Sequence, residues 1–291
     1  MKDRSESFWA LLLLLPSLLG MGIFTAIPVL ASFGLSFSRW NMLTPPKWVG
    51  LDNYLSLLQE PLFWQIMGNT FVYAFSVVLL EVPLALGLAV AMNQPGWLTK
   101  VFRTIYFLPV VTSMVAIALV WNWIYDPQYG LLNAALQTIG LPKVEWLFHP
   151  KTALPALILM GVWKNVGYSM VIFLAGLQTI PEELYEAAAL DGANRWQQFL
   201  NVTLPQMGPT LFFVSVMSTI TAFQVFDPVY IMTQGAPENS TNVAVYWLYQ
   251  NAFEFFNVGK ASAIAYLLFG VILLLTMIQW SLRKKWVAQE S

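Results

Sequence analysis

The chain has 291 residues, of which 58% are hydrophobic and 15% aromatic but only 10% charged, against about 25% charged in soluble domains. That balance excludes a water-soluble fold, and a net charge of −1 leaves no electrostatic footprint for a nucleic-acid partner. Without cysteine there is no disulfide framework or thiolate metal site, and the single histidine, His149, reads as a surface residue beside Pro150.

Uncharged stretches at 7–38, 104–125, 196–226 and 261–282 meet or exceed the roughly 20 residues that a helix needs to cross hydrocarbon. The first span is read at 8–37, behind the charged start MKDRSES. It is about twice the length of a cleaved signal peptide's apolar core, so it reads as an uncleaved membrane helix, kinked at Pro16 and Pro28. A mixed loop from Arg39 to Phe63 leads to the second span, 67–92, interrupted by Glu81 and Pro83. Asn93-Gln94-Pro95-Gly96 is a tight turn before the third span at 104–125. The loop Asp126 to Lys151 carries turn signals and a short helix at Leu131 to Ile139, and the fourth span, 153–176, contains Lys164.

Between the fourth and fifth spans lies a polar island, PEELYEAAALDGANRWQQFLNVTLP, Pro181 to Pro205. Thr179 with Glu182 matches a capping box, and Pro181 fits a first turn. Glu182, Glu183 and Glu186 sit where the helix dipole favours negative charge. Ala187, Ala188 and Ala189 favour helix with almost no bulk. Gly192, after Asp191, is a natural C-terminal stop. A second limb, Arg195 to Thr203, places Trp196, Phe199 and Leu200 on one stripe. The pattern predicts a helix–glycine–helix knuckle, acidic and smooth on its first limb, ending at Leu204-Pro205.

The fifth span is read at 207–232 with Asp227 near its end, followed by a loop from Thr233 to Lys260. The aromatic stretch Thr241 to Phe256 predicts an amphipathic helix lying at the membrane interface. The sixth span, 261–282, is stopped by Arg283-Lys284-Lys285. Six spans put both termini on one side. If that side is cytoplasmic, the inner segments hold Lys2, Arg4, Lys100, Arg103, Arg195, Arg283, Lys284 and Lys285, against Arg39, Lys47, Lys143, Lys151 and Lys260 outside. The positive-inside rule favours that orientation.

Glu81, Lys164 and Asp227 remain inside the membrane, where each needs a partner or a wet cavity. Counted inward from the same end at 1.5 Å per residue, Glu81 is about 21 Å and Lys164 about 16 Å deep. Two readings stay open: a Glu81–Lys164 ion pair, or a Lys164 that snorkels or faces a polar cavity alone. Lys164, Asn165, Tyr168, Gln224 and Asp227 suit the lining of a sugar path, and suit helix–helix hydrogen bonds equally well. Val258-Gly259-Lys260-Ala261 is not a phosphate loop, since Glu254 stands at the first glycine position and Ala261 replaces the hydroxyl residue. Asn239-Ser240-Thr241 is a chance-level sequon, and there is no catalytic constellation.

The knuckle closely resembles the EAA loop of ABC importer permeases: Glu-Ala-Ala, three residues, Gly, nine residues, an aliphatic residue, any residue, Leu-Pro. Here these are Glu186-Ala187-Ala188, Gly192, Val202 and Leu204-Pro205, with Val in place of the usual Ile. LQTIPEELYEAAALDGA and FDPVYIMTQGAPENST resemble the carbohydrate-importing branch. The resemblance implies an all-α membrane protein, a single transmembrane permease domain over 1–291. It would have six transmembrane helices of the type I ABC importer permease fold, with a cytoplasmic coupling helix between spans four and five. It further implies a transport subunit without an ATPase site of its own, in a bacterial or archaeal inner membrane. Its partners would be a second, homologous but non-identical permease, two ATPase subunits that bind ATP and Mg, and an extracytoplasmic sugar-binding protein docking on the loops Arg39 to Phe63 and Thr233 to Lys260. Coupling to the ATPases would run through Glu182, Glu183, Glu186, Ala187, Ala188, Asp191, Gly192, Leu204 and Pro205. The competing reading is an ion-driven secondary transporter using Glu81, Lys164 and Asp227. It would show internal repeats with broken helices, and no such repeat is visible. A membrane enzyme is a distant third.

Overall fold

The computed structural model describes residues 2–287, with side chains described for Trp9 and for residues 11–282. Of the cations counted for orientation, the side chains of Lys2, Arg4, Arg283, Lys284 and Lys285 fall outside the described ones. The chain is helical almost throughout. In order the helices are α1 (Lys2–Met21), α2 (Ile27–Ser36), α3 (Asp52–Gln59), α4 (Pro61–Met92), α5 (Trp97–Val111), α6 (Met114–Ile124) and α7 (Leu131–Thr138). They continue with α8 (Pro150–Leu177), α9 (Glu182–Leu190), α10 (Arg195–Gln198), α11 (Leu204–Gln206), α12 (Gly208–Phe223), α13 (Ala244–Tyr249) and α14 (Val258–Val287). β1 (Ser38–Arg39) and β2 (Lys47–Trp48) form one antiparallel ladder.

Among the described residues, four helical stretches are long and apolar enough to cross a membrane: Leu11–Ser36, Pro61–Met92, Pro150–Leu177 and Val258–Leu282. The third expected span is not one helix. α5 and α6 meet at a 103° bend, so that span is broken at Thr112 and Ser113, just past Pro109. The fifth is shorter than expected: α12 stops at Phe223 after 16 residues, and a π-helical turn, Val229–Thr233, follows. The first span carries its irregularity one turn before Pro28. Pro28 has no N–H to give to Phe24, and the ladder widens there into a π-helical turn, Gly22–Ala26, in which Ile27 N–H bonds Gly22 O.

Contacts divide the chain into two compact units, residues 1–63 with 247–267, and residues 64–246 with 268–291. In the first, Asn53 Nδ2 donates to Ser36 O at 2.8 Å and Ser38 O at 3.0 Å, and Tyr54 OH to Ser36 Oγ at 2.7 Å, fastening α3 beneath α2 and β1. Lys260 Nζ lies 2.6 Å from Glu60 Oε2. Phe33 packs edge-on against Tyr266, whose hydroxyl donates to Val29 O.

In the second unit the core is built where α4, α8 and α12 meet, from residues such as Ala85, Ala89, Met170, Phe173, Met207 and Val214. Small residues permit close approach. A Cβ on Gly167 of α8 would overlap the Tyr106 carbonyl of α5, so this glycine lets the two helices touch backbone to backbone. The loop helix α7 falls within the expected stretch. The aromatic stretch 241–256 is helical from Ala244 through α13 and a π-helical turn, Gln250–Glu254, and ends on the exposed rings of Phe253, Phe255 and Phe256. At its start Val243, Ala244, Tyr246 and Trp247 are buried.

Candidate functional site

Two polar regions of the second unit carry the candidate residues. The first is the knuckle. α9 begins at Glu182 after Pro181, which has extended backbone and no side-chain cap. The expected Thr179–Glu182 capping box is not formed, since Thr179 Oγ1 donates backwards to Gly176 O at 2.7 Å. The C-terminal end is as the sequence suggests. Gly192 takes φ +80°, its N–H bonds Ala189 O at 3.0 Å, and Ala193 N–H bonds Ala188 O at 2.9 Å. That pair of bonds is a Schellman stop, and the left-handed residue is where glycine is needed.

The second limb is held by a box the sequence reading missed. Asn194 Oδ1 accepts from Gln197 N–H at 3.0 Å while Gln197 Oε1 accepts from Asn194 N–H at 2.8 Å. The signal was present as Asn followed three residues later by Gln. The limb is α10 followed by a π-helical turn, Phe199–Thr203. Of its expected stripe only Phe199 turns inward, packing on the core with Ile180 and Leu204. Trp196 is 66% exposed and stacks on Phe199 at 5.5 Å. Tyr185 OH, 3.0 Å from Thr203 Oγ1, ties the limbs together. Glu182, Glu183, Glu186, Ala187, Asp191 and Gly192 are all exposed, Ala188, Leu204 and Pro205 are half-buried, and Leu190 is 89% exposed. None of the four acids has an ion-pair partner among the described residues.

The second region is the set of charges inside the apolar helices. The Glu81–Lys164 pair is not formed, because each group is already engaged. Glu81 accepts from Ser169 Oγ at 2.5 Å and Ser218 Oγ at 3.1 Å, which joins α4, α8 and α12 at one buried carboxyl group. Lys164 instead caps the break in the third span. Its Nζ lies 3.0 Å from Pro109 O and 3.5 Å from both Val110 O and Thr112 O. Thr112 Oγ1 takes up Leu108 O at 2.8 Å. A helix end leaves its last four carbonyls unbonded and carries negative partial charge, so an ammonium group fits it. Sequence alone gave no sign of the break, and so none of the role.

Two cavities of about 210 and 220 Å³ adjoin this cap. Lys164, Asn165 and Tyr168 line the first together with Glu81 and Ser218. Lys164, Asn165, Gln224 and Asp227 line the second, with Tyr73 and Phe226. The five expected path residues are therefore brought together around Lys164 and Asn165, which both cavities share. Thr221, also shared, was missed, as were Ser169 and Ser218. Hydroxyl residues in an uncharged span give no signal of which face they turn to.

A profile of binding-protein-dependent transport system inner membrane components matches residues 82–285. The chain is 40% identical over 281 residues to YesP of Bacillus subtilis (strain 168), a probable ABC transporter permease protein, covering 95% of this chain and 90% of YesP. It is 35% identical over 268 residues to the trehalose/maltose transport system permease protein MalF of Thermococcus litoralis, covering 92% and 90%. Its fold matches a chain from the crystal structure of a bacterial ABC transporter that imports the acidic polysaccharide alginate, with a TM-score of 0.86, 26% identity and 98% of both chains covered.

Proposed function

This chain belongs to the inner membrane components of binding-protein-dependent transport systems, the permeases of ABC transporters, and from that premise we propose that it forms half of the pathway of an ATP-driven sugar importer. The knuckle carries the reading. An acidic helix with a small-residue face, stopped at Gly192 and followed by the Asn194 box, with its four acids exposed and unpaired, is a surface made to be gripped by another protein. ATP and Mg belong to two ATPase subunits that hold α9, with Glu186 facing a basic residue there. The membrane is the cytoplasmic one, with both termini and the knuckle on the cytoplasmic side. A homologous permease supplies the other half of the path, and an extracytoplasmic binding protein delivers the solute to the opposite face.

Closure of the ATPase pair moves α9 as a rigid body, and Phe199 and Leu204 pass that motion to the core of α4, α8 and α12. The path then opens alternately around the cavities at Lys164 and Asn165. Amide groups of Asn165 and Gln224, the Asp227 carboxylate and the ring of Tyr168 suit sugar hydroxyls and the apolar faces of pyranose rings, and the carbohydrate names among the relatives support that class. The test is uptake by the full complex in proteoliposomes carrying Gly192→Asp or Glu186→Lys. Transport should fall to background with membrane insertion and subunit yield unchanged; unaltered uptake would overturn the coupling role. Mass spectrometry of the ligand carried by the co-purified binding protein identifies the sugar.

A further inference from the structure

The unit formed by residues 1–63 and 247–267 contains a cleft of about 560 Å³. Arg39, Trp40 and Lys47 line it together with Phe255, Phe256 and Lys260, around the start of α14. In the β1–β2 ladder Arg39 stands directly opposite Lys47. Opposed residues of a ladder project from the same face, and like charges placed so weaken the pairing. The third cation is neutralised: Lys260 bonds Glu60 at 2.6 Å and lies 4.9 Å from the centre of the Trp247 ring. Arg39 and Lys47 are exposed and have no acidic partner among the described residues. The fold thus supplies a counter-charge to one cation of the cleft and withholds it from the two that repel each other. Phe256, also in the lining, holds φ +52°, a conformation costly for a bulky side chain and concentrated at ligand clamps.

Depth narrows the occupant. The apolar spans run Leu11–Ser36 and Val258–Leu282, so Arg39 lies three residues past the end of one and Lys260 in the first turn of the other. The cleft is therefore within about 10 Å of the hydrocarbon boundary, the level of phospholipid phosphates. Exposed rings cluster in the same unit: Trp48 at 71%, Phe253 at 59%, Phe255 at 61% and Phe256 at 53%. An amphipathic ring such as that of Trp48 settles at that level in a bilayer, and the three exposed phenylalanines would be poorly placed facing bulk water.

We propose that this cleft seats the phosphodiester head group of an anionic phospholipid, in the leaflet opposite the N-terminus. The head-group oxygens bridge Arg39 and Lys47, the guanidinium offering a bidentate fit to phosphate. The acyl chains run down past the exposed phenylalanines. An occupant there removes the repulsion across the ladder and ties the ends of the first and last spans to the bilayer.

The experiment is lipid titration of the purified full complex by native mass spectrometry, with phosphatidylglycerol, with phosphatidylcholine, and with phosphatidylglycerol plus excess inorganic phosphate. Phosphatidylglycerol should be retained over phosphatidylcholine and should survive the phosphate. One cation near an anionic surface is worth about fivefold in binding, so Arg39→Ala with Lys47→Ala should weaken retention about 30-fold. The charge-keeping pair Arg39→Lys with Lys47→Arg should retain the lipid. Both sites are exposed, and an unchanged melting temperature shows that the double alanine variant is folded. Three results would overturn the proposal: equal phosphatidylglycerol retention by the alanine variant, displacement of the lipid by inorganic phosphate, or unchanged lipid retention with lost affinity for the extracytoplasmic binding protein.

Discussion

The knuckle at 179–205 and the polar cluster among α4, α5, α8 and α12 both carry charged groups on elements that pack on the same apolar core, and they treat those groups in opposite ways. In the cluster two charged groups are matched from within: Glu81 by two serine hydroxyls, Lys164 by the carbonyls of a broken helix. In the knuckle the backbone between the two limbs is matched, by the Gly192 stop and the Asn194 box, and the acids are left bare. Burial forces the first arrangement, since an unmatched polar group in a dry interior costs several kcal/mol. Water permits the second, so four unpaired acids on one rigid elbow cost little to the folded chain and remain available to a partner. Arg39 and Lys47 fall on the knuckle's side of this division.

That contrast can be broken most severely at Glu81. Ser169→Ala with Ser218→Ala leaves its carboxyl buried without donors, and should lower stability in detergent by about 2–4 kcal/mol, read as thermal unfolding of the purified complex. Glu81→Gln, which keeps an acceptor, should cost far less. Lys164→Met comes next. It strips the cap from the broken helix and should cost about 1.5–3 kcal/mol, the range for hydrogen bonds to a charged donor. Because Glu81 and Lys164 serve different partners, Glu81→Gln with Lys164→Met should be additive within about 0.5 kcal/mol; a larger coupling would restore the ion pair between them.

In the knuckle the same measurement should respond weakly. Asn194→Ala removes one half of the capping box and should cost about 1 kcal/mol. Leu190→Ser, at a side chain 89% exposed, should change stability by less than about 0.5 kcal/mol while reducing uptake. If Leu190→Ser unfolds the protein as Ser169→Ala with Ser218→Ala does, the elbow is part of the core and the division between the two regions fails.

Much of this was legible from residues close together in the chain. The knuckle's glycine stop, its acidic first limb, the loop helix α7 and four apolar spans all follow from composition and short-range pattern, because capping and helix propensity are local. The second-limb box was legible too, in Asn194 and Gln197, and passed unread. The break in the third span was not. TIYFLPVVTSMVAIALVWNWIY is uninterrupted by charge, and Pro109 alone is compatible with a mere kink. At the 103° bend the freed carbonyls are met by Lys164, which only the fold brings there from α8.

By itself, then, the amino-acid sequence determined that this is a helical membrane protein with a polar elbow bearing the EAA pattern, since hydropathy and capping act over a few turns of one helix. Which group each buried charge meets was decided only in three dimensions. Depth counted along two helices placed Glu81 and Lys164 at similar levels, but a side chain's partner depends on the rotation of its helix and on what the neighbouring helices present. Those are fixed by packing across residues far apart in the chain, such as Gly167 against Tyr106. The same is true of Arg39 and Lys47, whose opposition exists only once β1 and β2 have paired.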